Sequence, residues 1–245
     1  MSAVTTDELA KERARVAELE NRVAELETFA REISHDLKAP LAGICGYAQL
    51  LAHLDVGWPR PLEYDEFVTE IERGTARMSR LIDDVLTYST VRGEPLLPAT
   101  IDLAALVDDV IADRPRDLSR PTPLITREVL PPVRGDHGML RRLLENLIGN
   151  ALKYVRPGEP ARVHVTARAE DGFVRVEVTD RGVGIPDGQH EAIFAELHRA
   201  HADAYPGTGL GLTICRRIVQ RLGGVIHADP HFREGARIWF TLPAA

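Results

Sequence analysis

From Leu9 onward, apolar side chains recur at intervals of three and four residues: Leu9, Val16, Leu19, Val23, Leu26, Ala30, Ile33 and Leu37, with Glu12 the one polar exception. This is a heptad seam, and Glu and Arg fill the positions beside it, as solvated flanks of a two-stranded parallel coiled coil would require. No Gly or Pro interrupts the run before Pro40. The stripe continues through Leu41, Ile44, Ala48 and Leu51, which carries the helix, kinked at the proline, to about His53. Gly57-Trp58-Pro59-Arg60-Pro61 then forces a turn. A second helix is expected from Leu62 to Val91, with Phe67, Ile71, Met78, Leu81, Ile82 and Val85 on its buried face. Two long helices joined by a short loop cannot cover both stripes alone, so pairing of two chains into a four-helix bundle is the natural solution.

Gly93, Pro95 and Pro98 mark a hinge, after which the periodicity mixes helix and strand. Helices are expected over Leu103 to Ala112, Gly138 to Tyr154 and Leu210 to Leu222. Strands are expected over Leu124 to Val129, Arg162 to Arg168, Phe173 to Thr179, Val225 to Ala228 and Arg237 to Leu242. The fold class is therefore α+β: a coiled coil and helical hairpin, then an α/β sandwich with a mixed sheet under helices. The expected divisions are 1–28 for the coiled coil, 29–94 for the dimerising hairpin and 95–245 for the sandwich.

Charge narrows what such a chain can bind. Thirty basic against 37 acidic side chains leave −7, which excludes a sequence-independent attraction to nucleic acid or anionic lipid, so any polyanion must be held locally. Cys45 and Cys215 lack metal-ligand spacing and are too few for a disulfide framework, which points to reduced thiols in a cytoplasmic setting. No signal peptide or membrane span is expected, because the start is polar and the longest apolar stretch, Leu41 to Leu54, is broken by Gly43, Gly46 and Gln49.

The first candidate chemistry lies on the seam. His35 stands two positions before Leu37, so on a helix of 3.6 residues per turn it points away from the apolar stripe into solvent. An exposed imidazole is a capable nucleophile when an acceptor such as neighbouring Asp36 holds one ring nitrogen and takes its proton. Further on, Asn146, Asn150 and Lys153 share one face of a helix that ends at Tyr154. Buried amides are costly unless bonded, and an Asn oxygen with a lysine nearby suits a magnesium-bound polyphosphate. Asp180-Arg181-Gly182-Val183-Gly184 closes a strand, where Gly182 and Gly184 permit close backbone approach and the Asp180 carboxylate can accept the exocyclic amine of adenine. Gly207-Thr208-Gly209-Leu210-Gly211 opens a helix, whose free amides and dipole attract phosphate. It has neither Walker spacing nor a preceding strand. His198 and His201 have a spacing that suits a metal, but with no third ligand nearby they are expected to be solvated.

These segments, in this order, resemble the sensor histidine kinases of two-component systems, over nearly the whole chain from Phe29 to Leu242. The resemblance implies that Ser34-His35-Asp36-Leu37-Lys38-Ala39-Pro40 is the phosphoacceptor box, and that the sandwich is an ATP-binding domain of the GHKL type. It implies ATP and Mg²⁺ as cofactors, with Asn150 on the metal, Asn146 and Lys153 on phosphates and Tyr154 on the base or ribose. Asp180, Gly182 and Gly184 would form the first glycine box, and Gly207, Thr208, Gly209, Leu210 and Gly211 the second. A lid from about Asp187 to Pro206 would bring Arg199 to the γ-phosphate. The implied partners are a second copy of the chain, a response-regulator receiver domain and, for input, a separate sensor protein.

Two departures stand out. Leu197 occupies a position where the family usually has a second aromatic after Phe194, which puts lid packing in question. Ala39 replaces the Thr or Asn that helps water attack the phosphorylated partner, which argues against phosphatase activity. The form of the phosphoacceptor box, together with Tyr205-Pro206-Gly207-Thr208-Gly209, is closest to kinase modules of phytochrome-type photoreceptors. A related GHKL ATPase or protein serine kinase would have no use for His35 on a paired helix, and a noncatalytic phosphotransfer scaffold could dispense with the nucleotide motifs.

Overall fold

A computed structural model of the protein describes residues 34, 37–38, 40–51, 62–90, 96–114, 121–202, 204–205 and 207–245. The expected coiled coil, His35 and Asp36, and the turn at 57–61 lie outside the described residues. The chain divides into two compact units, Met1–Gly93 and Glu94–Ala245.

In the first unit, helix α1 runs over residues 40–51 and α2 over Leu62–Thr90. Their shared core is narrow: Leu41 and Ala48 on α1, and Val68, Thr75 and Ile82 on α2, are buried. Thr75 and Thr87 can be buried because each hydroxyl donates to a carbonyl one turn back, Ile71 O and Asp83 O, both at 2.9 Å. Polar clasps join the helices, with Tyr64 Oη donating to Leu51 O at 2.8 Å and Lys38 Nζ lying 2.6 Å from Asp83 Oδ1. The face of α2 expected to be buried behaves differently. Ile82 is buried, but Phe67, Ile71, Met78 and Val85 are exposed in the single chain, Phe67 by 66%. The reason is geometric: one helix packed against one other covers one stripe, and the neighbouring stripe stays open.

In the second unit, five strands lie in the order β2-β4-β5-β7-β6: β2 (Leu124–Arg127), β4 (Arg162–Glu170), β5 (Phe173–Asp180), β6 (Ile226–Ala228) and β7 (Arg237–Pro243). β2 runs parallel to β4, and the remaining pairs are antiparallel. Strict alternation along β5 and β7 sends Val174, Val176, Val178, Ile238, Phe240 and Leu242 to one face. Helices α3 (Leu103–Ala112), α4 (His137–Lys153) and α5 (Gly211–Arg221) carry the other half of the core, including Leu106, Leu140, Leu144, Ile148, Ile214 and Ile218. Full burial of such side chains contributes about 1.5–3 kcal/mol each. Asp102 and Asp136 cap α3 and α4, accepting from Ala105 N and Met139 N at 3.0 Å each. Two short strands absent from the sequence reading, β1 (Ala99–Ile101) and β3 (Val133–Gly135), pair antiparallel as a separate ribbon. Among the described residues no helix is long and apolar enough to cross a membrane.

Candidate functional site

Helix α4 organises the site. Its buried face, Leu143, Leu144, Leu147 and Ala151, locks it into the core, so that Asn146, Asn150 and Lys153 all line the adjacent, half-buried edge. Tyr154 ends the helix at ψ 53, outside helical geometry, and its carbonyl accepts from Val183 N at 3.0 Å. That bond brings the first glycine segment against the helix end. Gly182 is required there, because a Cβ would sit 1.9 Å from Tyr154 O.

Asp180, the last residue of β5, points inward with the valines. Its Oδ1 accepts from Gly182 N at 2.8 Å and Ala236 N at 3.0 Å, while Oδ2 has no hydrogen-bond partner among the described residues. Burial pushes the carboxyl above its ordinary value, and the two amide bonds oppose that rise. Between α4 and this carboxylate lies a cavity of about 80 Å³ with an apolar floor that includes Leu147, Ala151, Val178 and Ile238. Asn150, Tyr154, Asp180 and Gly184 also border it, and Arg199 and His201 close it from the lid.

The second glycine segment meets the same helix farther along. A Cβ on Gly207 would lie 2.8 Å from Lys153 Nζ, and one on Gly211 would lie 2.9 Å from Asn146 Oδ1. Gly209 adopts φ +79, and a Cβ there would lie 2.7 Å from the backbone carbonyl carbon of Leu197. Thr208 Oγ1 accepts from Leu210 N at 3.3 Å, and Leu210 is buried as α5 begins. Lys153 Nζ donates to Tyr154 Oη at 2.8 Å and Asn146 Nδ2 donates to Arg142 O at 3.0 Å. Thus every expected nucleotide residue except Arg199 lies on α4 or on a glycine segment touching it, or, for Asp180, directly before one.

The lid is less open than the sequence suggested. Its first part is anchored: Ile193 and Phe194 in a short 3₁₀ turn, Ala192–Phe194, are buried, and Phe194 O accepts from Thr213 Oγ1 at 3.1 Å. Leu197 stands 67% exposed at φ +58, contributing nothing to lid packing through its side chain. The expectation of solvated lid histidines does not hold. Both are half-buried and bonded, His198 Nε2 to Gln189 Oε1 at 3.0 Å and His201 Nε2 to Gly184 O at 2.9 Å. Among the described residues no group of His, Cys, Asp and Glu has the makings of a metal site. Arg199 donates through Nη2 to Ala202 O and Tyr205 O at 2.7 and 2.6 Å. Tyr205, not singled out as a site residue from sequence, packs its ring 5.1 Å from that of Tyr154.

Comparison with known proteins places this arrangement. The family described as histidine kinase-, DNA gyrase B- and HSP90-like ATPase matches residues 135–245, and the His Kinase A (phospho-acceptor) domain family matches residues 25–94. Cyanobacterial phytochrome A from Nostoc sp. is 36% identical over 230 residues, taking in 92% of this chain and 29% of that protein. Phytochrome-like protein Cph1 from Synechocystis sp. is 33% identical over 238 residues, with 96% and 31% covered. The chain thus spans under a third of the length of these relatives. Among solved structures, full-length ShkA in complex with AMPPNP matches with a TM-score of 0.68 at 30% identity, covering 88% of this chain and 45% of that one. With both regions present in this order and similarity sustained along nine-tenths of its length, the chain belongs to the sensor histidine kinases of two-component systems.

Proposed function

We propose that the chain binds ATP and Mg²⁺ in its C-terminal unit, phosphorylates its own His35, and passes the phosphoryl group to an aspartate of a response-regulator receiver domain. The observation that carries this reading is the single half-buried edge of α4, which sets Asn146, Asn150 and Lys153 between a cavity bordered by Asp180 and two glycines, Gly207 and Gly211, whose backbones come close to Lys153 Nζ and Asn146 Oδ1. The donor set fits a nucleotide. Asp180 Oδ2 is an acceptor for an adenine amine, Tyr154 lies beside the same cavity, and Lys153 with Asn146 faces the segment from Gly207 to Gly211, whose amides suit phosphate. The Asn150 oxygen suits Mg²⁺, which when bound would neutralise phosphate charge. Arg199 is close enough to share that task once its carbonyl partners release it.

Phosphoryl transfer depends on positioning and charge neutralisation more than on covalent help. The His35 nitrogen forms a bond to the γ-phosphorus as the bond to the bridging oxygen breaks and ADP leaves. The imidazole proton goes to Asp36. Residues 1–28 would carry the signal, 29–94 would pair two chains and present His35, and 95–245 would supply the nucleotide. A second copy of the chain would cover the open stripe of Phe67, Ile71, Met78 and Val85. Ala39 leaves no side chain to direct water, so phosphatase activity toward the regulator would be weak. Input would arrive through a separate sensor protein or a further segment, and the setting would be cytoplasmic.

The test is incubation with Mg²⁺ and γ-labelled ATP beside a His35→Gln variant. The expected label is acid-labile, alkali-stable and absent from the variant. Label that survives acid, or that persists in His35→Gln, would sink the proposal.

A further inference from the structure

Five contacts converge where the lid meets the end of α4. Tyr205 packs on Tyr154 with ring centroids 5.1 Å apart, and His201 approaches both rings at 6.0 and 6.1 Å. Tyr205 Oη donates to Val155 O at 2.7 Å, and His201 Nε2 lies 2.9 Å from Gly184 O. A backbone carbonyl only accepts, so this His201 nitrogen carries a proton. Gly184 borders the cavity, and Val155 directly follows Tyr154, which borders it too. His201 also borders the cavity of about 80 Å³ beside Tyr154. While these contacts hold, the face of Tyr154 proposed to meet the base is occupied by the rings of Tyr205 and His201.

On the reading that the cavity takes a purine nucleotide, we infer that His201 and Tyr205 are an internal stand-in for the nucleotide's ring, holding the Tyr154 platform until the nucleotide replaces them. The chemistry of the substitution is like for like. A flat aromatic surface against Tyr154 is exchanged for another, so the exchange is decided by the hydrogen bonds that pin the lid. Affinity is then reduced by the fraction of molecules whose lid is unpinned. The same motion bears on Arg199, since its Nη2 bonds Tyr205 O. Lifting Tyr205 off its platform therefore frees a donor on the arginine proposed to meet the γ-phosphate. Base entry and charge neutralisation become one event.

This assignment makes a prediction of unusual sign: removing a side-chain group at the site improves binding. Tyr205→Phe keeps the ring and loses only the bond to Val155 O. A neutral hydrogen bond of ordinary strength corresponds to about a two- to tenfold change in an equilibrium constant. Titration of the full chain with AMPPNP in a calorimeter should give a Kd lower by that factor in Tyr205→Phe. KM for ATP in autophosphorylation should fall in step while kcat holds. His201→Ala, which loses the bond to Gly184 O, should shift Kd the same way and guards against a local effect of one variant. Binding by all three proteins with equal or weaker affinity in the variants overturns the stand-in and leaves the nucleotide reading intact. Absence of binding by the unsubstituted chain and both variants overturns the nucleotide reading, and the stand-in with it.

Discussion

Replacing Asp180 by Asn separates the carboxylate's role toward a base from its role in the fold. Oδ1 accepts from Gly182 N and Ala236 N at 2.8 and 3.0 Å, and an amide oxygen can keep both bonds. The amide nitrogen must then take the place of Oδ2, turning an acceptor that borders the cavity into a donor. Against the exocyclic amine of adenine this sets donor against donor. A hydrogen bond to a charged group contributes about 1.5–3 kcal/mol, so ATP binding should weaken about 10- to 150-fold. Inosine triphosphate carries an acceptor at the same ring position and should lose far less, or gain. Stability should move the other way. Burial raises the folded carboxyl pKa more than the two amide bonds lower it, so the stability linked to proton uptake is full below the unfolded pKa and is lost as pH rises through the folded value. At neutral pH the ionised group is therefore a cost, and Asp180→Asn should hold or raise the thermal midpoint. Calorimetric Kd values for both nucleotides beside a melting curve decide the matter. Equal weakening toward ATP and inosine triphosphate, with a lowered midpoint, would mean that Asp180 is structural and the assignment of the base is wrong.

Other consequences follow from packing and charge. Ile71→Glu with Val85→Glu places charge on the exposed stripe of α2 and should convert a dimer into monomers in sedimentation equilibrium; an unchanged mass would refute the bundle. Phe240→Ala empties a fully buried position on an interior strand of the sheet and should lower unfolding free energy by about 3–5 kcal/mol in urea titration, a loss under 1 kcal/mol counting against the packing described. The Asp229 carboxyl is held low chiefly by His231 N, with Arg237 adding to this against partial burial. Its contribution to stability is present above the ordinary carboxylate pKa and disappears as pH falls through the lower folded value, so Asp229→Asn should flatten the acid limb of a stability profile.

How much of this was visible beforehand depends on whether a feature leaves a periodic trace. The alternation of Val174, Val176 and Val178 makes β5 legible to within one residue, and the apolar repeat of α4 does the same for the helix that organises the site. The ribbon of β1 and β3 left no such trace. Each strand has three residues, Pro98 precedes one and Pro131 and Pro132 precede the other, and their pairing, Ala99 with Gly135, joins distant positions. On α2 the apolar residues were legible, but which of two adjacent stripes a single chain buries was not, since Val68, Thr75 and Ile82 form the narrower set. Within the site, side chains on α4 and at the end of β5 could be named from sequence. Their backbone partners could not, because Ala236 N, Val155 O and Gly184 O carry no signature of residue type. The part played by Tyr205 depends on the path of a loop, which hydrophobic pattern does not encode.

An acidic chain that holds a polyanion must supply a positive field locally, and the disposition of its cations shows how. Many arginines face carboxylates: Arg127 pairs with Asp108 at 2.6 Å, Arg175 with Glu177 at 2.9 Å and Arg216 with Glu191 at 2.5 Å. Such pairs cancel at a distance and give little attraction to an approaching phosphate. Lys153 and Arg199 differ. Lys153 Nζ bonds a neutral tyrosine hydroxyl, and Arg199 bonds backbone carbonyls. Among the described residues neither has a carboxylate partner to offset it at a distance. Neutral acceptors hold these two side chains in place at a modest cost to leave, about 0.5–1.5 kcal/mol per bond, which a phosphate oxygen can more than offset. The net charge of −7 thus repels polyanions elsewhere on the molecule while one helix edge and its lid retain the means to bind one.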